Sequence, residues 1–372
     1  MGLLVTELCL ADFRSFVRRE VSLAPATTIL VGPNAAGKTN TVEALQLLTT
    51  GASFRRPTPR QLVRDGAESA RIDARLAGDG RVIDVRCDVT PARRQFSVNG
   101  KRRHASEMPG TLMSVLFSPD DLALVKRGAS GRRDELDDFG RQANKGYSHV
   151  LAAYTRSVEQ RNRLLKEERP DLGLLDAWDS SVALGGATLL ASRVRLFRRL
   201  AEKVSAIYAQ IADGEELVCR YVCSLGDEAV ELALDGSRTT DEARSALRDL
   251  FAERLAATRP DDLRRAQTTM GPHRDDVCFE VSGRDARAFG SQGQQRSVVL
   301  ALKMAEVELS AEVLGEQPLL LLDDVMSELD EARRNAVIRF VQRGIQTVIT
   351  TTNLGYFSPE LLDASKVVSF GG

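Results

Sequence analysis

The octapeptide "GPNAAGKT", Gly32 to Thr39, constrains this chain more than any other stretch. It matches GxxxxGK[ST] in full, follows the β-branched run Thr27–Val31, and opens a helix expected over Gly37–Leu48. A strand that turns through such a loop into a helix belongs in a parallel sheet with helices packed on its faces. The loop also fixes a chemistry, because successive backbone N–H groups at a helix N-terminus cradle phosphate. Gly32, Pro33, Asn34, Ala35, Ala36, Gly37, Lys38, Thr39 and Asn40 are therefore expected to hold ATP. Lys38 would reach the β and γ oxygens, and Thr39 would coordinate Mg2+.

A complement stands far downstream in "PLLLLDDVMSELD". Its leucines read as a strand buried on both faces, ending in Asp323-Asp324 at the sheet edge where the phosphate loop lies. Asp323 is expected to hold Mg2+ through water, and Asp324 to sit near the attacking water. Between the two motifs lies a second anion cradle at a helix start, Ser291-Gln292-Gly293-Gln294-Gln295-Arg296. One small chain rarely needs two triphosphate cradles, so the second raises the question of whose phosphate it faces.

The pattern along the chain sets the organisation. Leu3–Leu10 and Val17–Leu23 read as strands, as do Arg71–Ala77, Val82–Val89 and Gln95–Val98. The last three are bounded by Gly78-Asp79-Gly80 and Asn99-Gly100, which is hairpin chemistry. Leu112–Phe117 reads as a buried strand, and Ser118–Asp121 as a helix cap. From Gly131 to Gly214 the period is helical, with a broad stripe through Leu184, Leu189, Leu196, Leu200, Val204, Ile207 and Ile211. Glu216–Leu225 and Ala229–Leu234 read as strands and Thr240–Ala257 as a helix; Pro318–Asp323, Gln346–Thr351 and Lys366–Phe370 close the chain as strands. The expected class is α/β: an ATPase lobe with a mixed β-sheet from residues 1–118 and 268–372, split by a mainly helical second lobe with a short arm, 119–267.

Bulk properties fit and exclude. The 372 residues suffice for one large domain or two ordinary ones. No window approaches ~18 apolar residues, so no membrane span is expected, and the N-terminus lacks the basic n-region of a signal peptide. Five cysteines without a CxxC pair or a His cluster read as free thiols of a reducing cytoplasm. Net charge is −1, yet residues 51–110 carry 13 Lys and Arg against 7 Asp and Glu. A local basic face on a neutral molecule suits nucleic acid, while the plain alternative is a solvated surface. Arg55, Arg56, Arg102 and Arg103 are the candidate DNA contacts.

The order of phosphate loop, signature loop and acidic strand resembles ABC-type ATPases, in which the signature loop of one subunit closes on the γ-phosphate held by its partner. Ser291, Gln292, Gly293 and Gln294 would then serve a neighbour's ATP, with Asp330 of "SELD" as the adjoining D-loop. The stretches "FRSF", "SFRRPTPRQLVRDG", "VLFSPDDLALVKRGASGRR", "EQRNRLLK", "MGPHRDD" and "FGSQGQQRS" resemble, together and in order, the RecF family of bacterial recombination mediators. That resemblance implies an SMC-like head that dimerises on ATP and binds duplex and gapped DNA. It also implies work with RecR and RecO to promote RecA loading, and a nucleotide contact from Arg14.

Several features depart from the wider class. Ala35 stands where the family often has Gly. Ser118–Asp121 lies where a Q-loop is expected but has no Gln, so no Q-loop is assigned. No His follows Gln346–Thr351; Thr350 to Thr352 take the place of the switch histidine, and Asp324 is one methylene shorter than the usual Glu. Those features suit a slow switch better than a motor. His273 reads as a structural or DNA-facing residue. The insert is too short for a long coiled-coil arm. Two rivals stand beside the leading reading: the nucleotide-binding subunit of a membrane transporter, and an ATP-binding clamp without turnover.

Overall fold

Alternating apolar residues at the N-terminus pair into an antiparallel sheet before the phosphate loop is reached. In a computed structural model, which describes residues 2–212 and 214–371, β1 (Leu4–Phe13) and β2 (Phe16–Ser22) form the first hairpin. β3 (Thr27–Val31) leads into α1 (Lys38–Thr50), and the short α2 (Pro59–Leu62) precedes β4 (Ala70–Gly78), β5 (Arg81–Thr90), β6 (Arg93–Val98), β7 (Lys101–Arg103) and β8 (Ser114–Phe117). The two expected hairpin turns have left-handed pairs at their tips: Asp79 and Gly80 at φ 50° and 70°, Asn99 and Gly100 at φ 48° and 75°. That geometry matches the right-handed twist of the flanking strands.

The middle of the chain is α3 (Ala129–Ala143), α4 (Tyr147–Leu164), α5 (Leu172–Ile211), β9 (Leu217–Val222), α6 (Asp227–Leu234), α7 (Thr240–Arg265), β10 (Asp276–Val281) and β11 (Arg284–Asp285). The remainder is α8 (Gln292–Leu314), β12 (Leu319–Asp323), α9 (Glu331–Val341), β13 (Thr347–Thr351), α10 (Pro359–Asp363) and β14 (Lys366–Ser369). Two compact units result: Met1–Ala123 with Val299–Gly372, and Leu124–Val298. The return to the first unit falls within α8, whereas the sequence pattern sets it at 267–268. The physical reason is pairing: β10 joins β9 and β11 in a sheet of the second unit.

In the first unit, antiparallel and parallel strands are divided between two sheets. The antiparallel sheet runs β2-β1-β4-β5-β6-β7, and the parallel one β14-β3-β13-β12-β8. Gln346 ties them together. Its buried amide accepts from the Val5 N–H at 2.9 Å and donates to Val5 O and Ala24 O at 2.7 and 2.9 Å. One apolar core joins Leu8, Leu10 and Ile72 of the first sheet, Leu45 and Leu48 of α1, and Leu30, Leu321 and Val348 of the second.

The second unit is helical around its three-stranded sheet. Its longest helix, α5, has 40 residues and so spans ~60 Å. Ala229–Leu234, expected as a strand, lies in the helix α6. Asp227 and Glu228 sit in its first turn, where the helix dipole favours acids, and Ala229 and Ala233 bury one face at i, i+4 spacing. Ser118–Asp121 caps a 3-10 turn, Pro119–Ala123, and not an α-helix; Asp121 accepts from the Ser118 N–H at 2.7 Å. All five cysteines are free thiols, and burial pushes Cys87, Cys219 and Cys223 up to about 12.

Candidate functional site

The phosphate loop is braced from one side by the turn between β1 and β2. Successive residues of that turn meet α1 at three-residue intervals. Phe16 packs on Gly37, where a Cβ would lie 2.3 Å from the ring. Ser15 Oγ accepts from Asn40 at 3.1 Å, and Arg14 grips Glu43 through Nε and Nη2 at 2.9 and 2.6 Å. Glu43 is fully buried and also accepts from Ser53 at 2.6 Å and Arg55 at 3.4 Å. A buried carboxylate is tolerable only when donors surround it in this way. Arg14, expected at the nucleotide, thus spends its guanidinium on Glu43 and on Gln61 O.

The loop itself is strained. Ala35 has φ 64°, a left-handed conformation that costs a non-glycine residue roughly 1 kcal/mol. Lys38 is buried, and its ammonium donates to Gly32 O and Pro33 O at 2.7 Å each, which fixes it over the loop.

β13 lies between β3 and β12, so its C-terminal end separates the phosphate loop from the acids. Thr39 Oγ1 donates to Asp323 Oδ1 at 2.9 Å, and Thr350 Oγ1 donates to the same oxygen at 2.8 Å. Asp324 follows in the left-handed region, φ 54°, with one carboxylate oxygen buried and without a hydrogen-bond partner. Burial pushes both carboxyls above their usual range. A hydroxyl and a carboxylate held together beside an orphaned acceptor are the donor set that Mg2+ and its waters would use. Thr39 and Asp323 are the residues that could hold the ion, and Asp324 the one that could take a hydrogen bond from water.

The signature stretch begins α8 in the second unit. Ser291 and Gln294 form a reciprocal cap: Gln294 N–H donates to Ser291 Oγ at 3.1 Å, and Ser291 N–H to Gln294 Oε1 at 2.8 Å. Gln294 also donates to Glu215 at 2.7 Å, while buried Gln295 donates to Ala286 O at 2.8 Å. Ser291 and Gln292 are exposed and Gly293 half-buried, so the start of the helix stays open. Asp330 caps α9, accepting from the Arg333 N–H at 2.9 Å.

The basic run of residues 51–110 splits in two. Across β4 and β5 the arginines are neutralised: Arg71 by Asp88, Arg75 by Asp84, Arg86 by Asp73. Arg55 is drawn to Asn40 and Glu43, and Arg56 has φ 48°. In the β6–β7 hairpin the balance is different. Arg93, Arg94 and Lys101 have no acidic partner among the described residues. Arg102 donates to neutral Gln95 at 2.9 Å, and Arg103 is 3.6 Å from Glu107. With His104, the four arginines line a concavity of about 530 Å3. The sequence pointed to Arg102 and Arg103 but could not separate neutralised from free arginines. The nearest signal was the absence of acids between Asp88 and Glu107.

His273 lies outside all of this, in the second unit. Tyr154 Oη is 2.7 Å from its Nδ1, and Thr268 O is 3.2 Å from its Nε2. Burial pushes it down to about 4, so it is a neutral structural residue near pH 7.

Comparison with known proteins adds an independent line. The family model described as "RecF/RecN/SMC N terminal domain" matches residues 4–366. The DNA replication and repair protein RecF of Symbiobacterium thermophilum is 41% identical over 355 residues, 94% of this chain and 92% of the relative. That of Desulforudis audaxviator is 41% identical and covers 93% of both chains. Among solved structures, the recombination mediator protein RecF-ATP in the RecFOR pathway is 30% identical with a TM-score of 0.85, covering 96% of this chain and 94% of its own. An Smc head bound to the C-winged helix domain of ScpA shares the fold at 17% identity, with a TM-score of 0.56 over 98% and 93% of the two chains.

Proposed function

The chain belongs to the RecF family of DNA replication and repair proteins, and on that premise we propose that it is an ATP-switched DNA-binding protein of recombinational repair. Family membership makes it an ATP-binding, SMC-like ATPase head and removes the transporter-subunit reading.

In the proposed cycle, ATP and Mg2+ sit on the phosphate loop with Lys38, Thr39 and Asp323. Ser291 to Gln294 of a second copy, with its Asp330 loop, close on the γ-phosphate and make an ATP-dependent homodimer. Asp324 orients water for slow hydrolysis, stimulated weakly by DNA, which resets the switch. In the cytoplasm the dimer holds duplex beside a gap and, with RecO and RecR, promotes RecA loading. The likeness to a RecF structure of the RecFOR pathway supports the partners.

One observation carries the DNA part: a hairpin of Arg93, Arg94, Lys101, Arg102 and Arg103 that the protein's own acids leave largely unneutralised. Clustered, largely unneutralised cations on paired strands suit phosphates, so binding should be weakly sequence-dependent and steeply dependent on salt. The test is duplex binding with ATP across a salt series for wild type and for Arg93→Glu with Arg94→Glu. Arg102→Glu with Arg103→Glu forms a second pair. Each pair should weaken binding and flatten the log–log salt slope by about one for each phosphate that is no longer neutralised, with ATP-driven dimerisation intact. Unchanged affinity and slope in both pairs would make the hairpin a solvated surface and move the DNA site elsewhere.

A further inference from the structure

Two acids end β12, and a single hydroxyl on the neighbouring strand bonds to both residues. Thr350 Oγ1 donates to Asp323 Oδ1 at 2.8 Å and accepts from the backbone N–H of Asp324 at 2.9 Å. Thr350 is fully buried and stands opposite Asp323 in the parallel register of β13 with β12. A hydroxyl is one donor and two acceptors, and here the donor and an acceptor are committed to consecutive residues. The bond to the Asp324 N–H falls where the backbone turns left-handed, φ 54°.

We propose that Thr350 is a positioning residue for ATP hydrolysis: its hydroxyl holds the Asp323 carboxylate and the left-handed turn at Asp324 in one fixed relation. The proposal rests on the reading of Asp323 and Asp324 as the acids of an ATPase. Asp323 keeps a second donor, Thr39, which itself sits on the phosphate-loop helix. Thr350 belongs to the sheet and not to the loop, so it references both acids to the sheet. Without it, Asp323 Oδ1 follows Thr39 alone, and the half-buried Asp324 N–H loses this acceptor. The turn would then relax, and a carboxylate displaced by about 1 Å loses ~10²-fold in rate. The phosphate loop's own hold on ATP is untouched, so the loss should fall on turnover and on the advantage that Mg2+ confers, and not on metal-free nucleotide binding.

The experiment compares wild type, Thr350→Val and Thr350→Ser. Fluorescent-nucleotide affinity is titrated in EDTA and in Mg2+, and hydrolysis is followed in a single turnover. Valine keeps the shape and removes both bonds; serine keeps the hydroxyl. Expected are equal affinities in EDTA, a smaller Mg2+-dependent gain for valine, a rate ~10²-fold lower for valine, and recovery of both by serine. Should valine pack badly, Thr350→Ala against Thr350→Ser gives the same contrast. A valine variant with wild-type rate and Mg2+ gain, or a serine variant as impaired as valine, overturns the positioning role alone. A wild type that binds ATP and never hydrolyses it overturns the ATPase reading and this role with it.

Discussion

At the scale of single residues, two adjacent carboxylates stand in different surroundings. Asp323 is clasped by two threonine hydroxyls, while Asp324 keeps a buried oxygen without a partner. The clasped acid suits a metal; the orphaned one suits a water. Asp324→Asn keeps the size of the side chain and removes its ability to take a proton. ATP binding should survive, turnover should fall ~10²- to 10⁴-fold, and the dimer should persist. Asp323→Asn should instead weaken binding of Mg2+·ATP. Nucleotide titration and single-turnover hydrolysis separate the two, and an Asp324→Asn protein with wild-type turnover removes Asp324 from its role. Both acids could be named from sequence because a strand-end pair of acids gains meaning from an upstream phosphate loop. Glu43 could not. It hides in the apolar run of α1, and nothing local shows that Arg14, Ser53 and Arg55 converge on it.

Elements were legible where one local rule acts alone. The β4–β5 and β6–β7 hairpins followed from Asp-Gly and Asn-Gly, since few residues tolerate a left-handed pair. The α6 segment defeats such a rule because "AVELAL" alternates as well as it cycles, and the acids ahead of it decide for helix. The loop from Thr268 to Asp275 marks the limit of such reading. It carries no period, yet it is fixed by distant partners. Arg161, fully buried, donates to Asp262 at 2.6 Å and to Thr268 at 3.0 Å, and Arg193 donates to Pro272 O at 2.7 Å. His273 makes this loop sensitive to acid. Below its ordinary 6.5 the unfolded chain takes up a proton that the folded one refuses until about 4. Its contribution is therefore complete above that window and lost as pH falls through it, up to roughly 3 kcal/mol. Denaturation of wild type and His273→Gln at pH 7 and pH 4.5 checks this. The wild type should lose more stability between the two pH values than the variant, and equal losses would assign the acid sensitivity to other groups.

At the scale of the whole molecule, a chain of net charge −1 still carries a cluster of largely unneutralised arginines in one hairpin. Two units share the motifs: the phosphate loop and both acids belong to one, Ser291 to Gln294 to the other. Among the described residues no helix is long and apolar enough to cross a membrane. The alternation of sheet and helical segments announced an ATPase lobe interrupted by a helical one. It could not show that β10 and β11 stay with the inserted unit, because strand partners are a property of register and not of composition. The central claim is that the second anion cradle serves another copy's nucleotide. Light scattering with and without ATP and Mg2+ measures this most directly, on wild type, Lys38→Arg and Ser291→Arg. Wild type should double in mass with ATP, and both variants should stay monomeric. A wild type that remains monomeric with ATP bound, or a Ser291→Arg protein that dimerises as well as wild type, would contradict it.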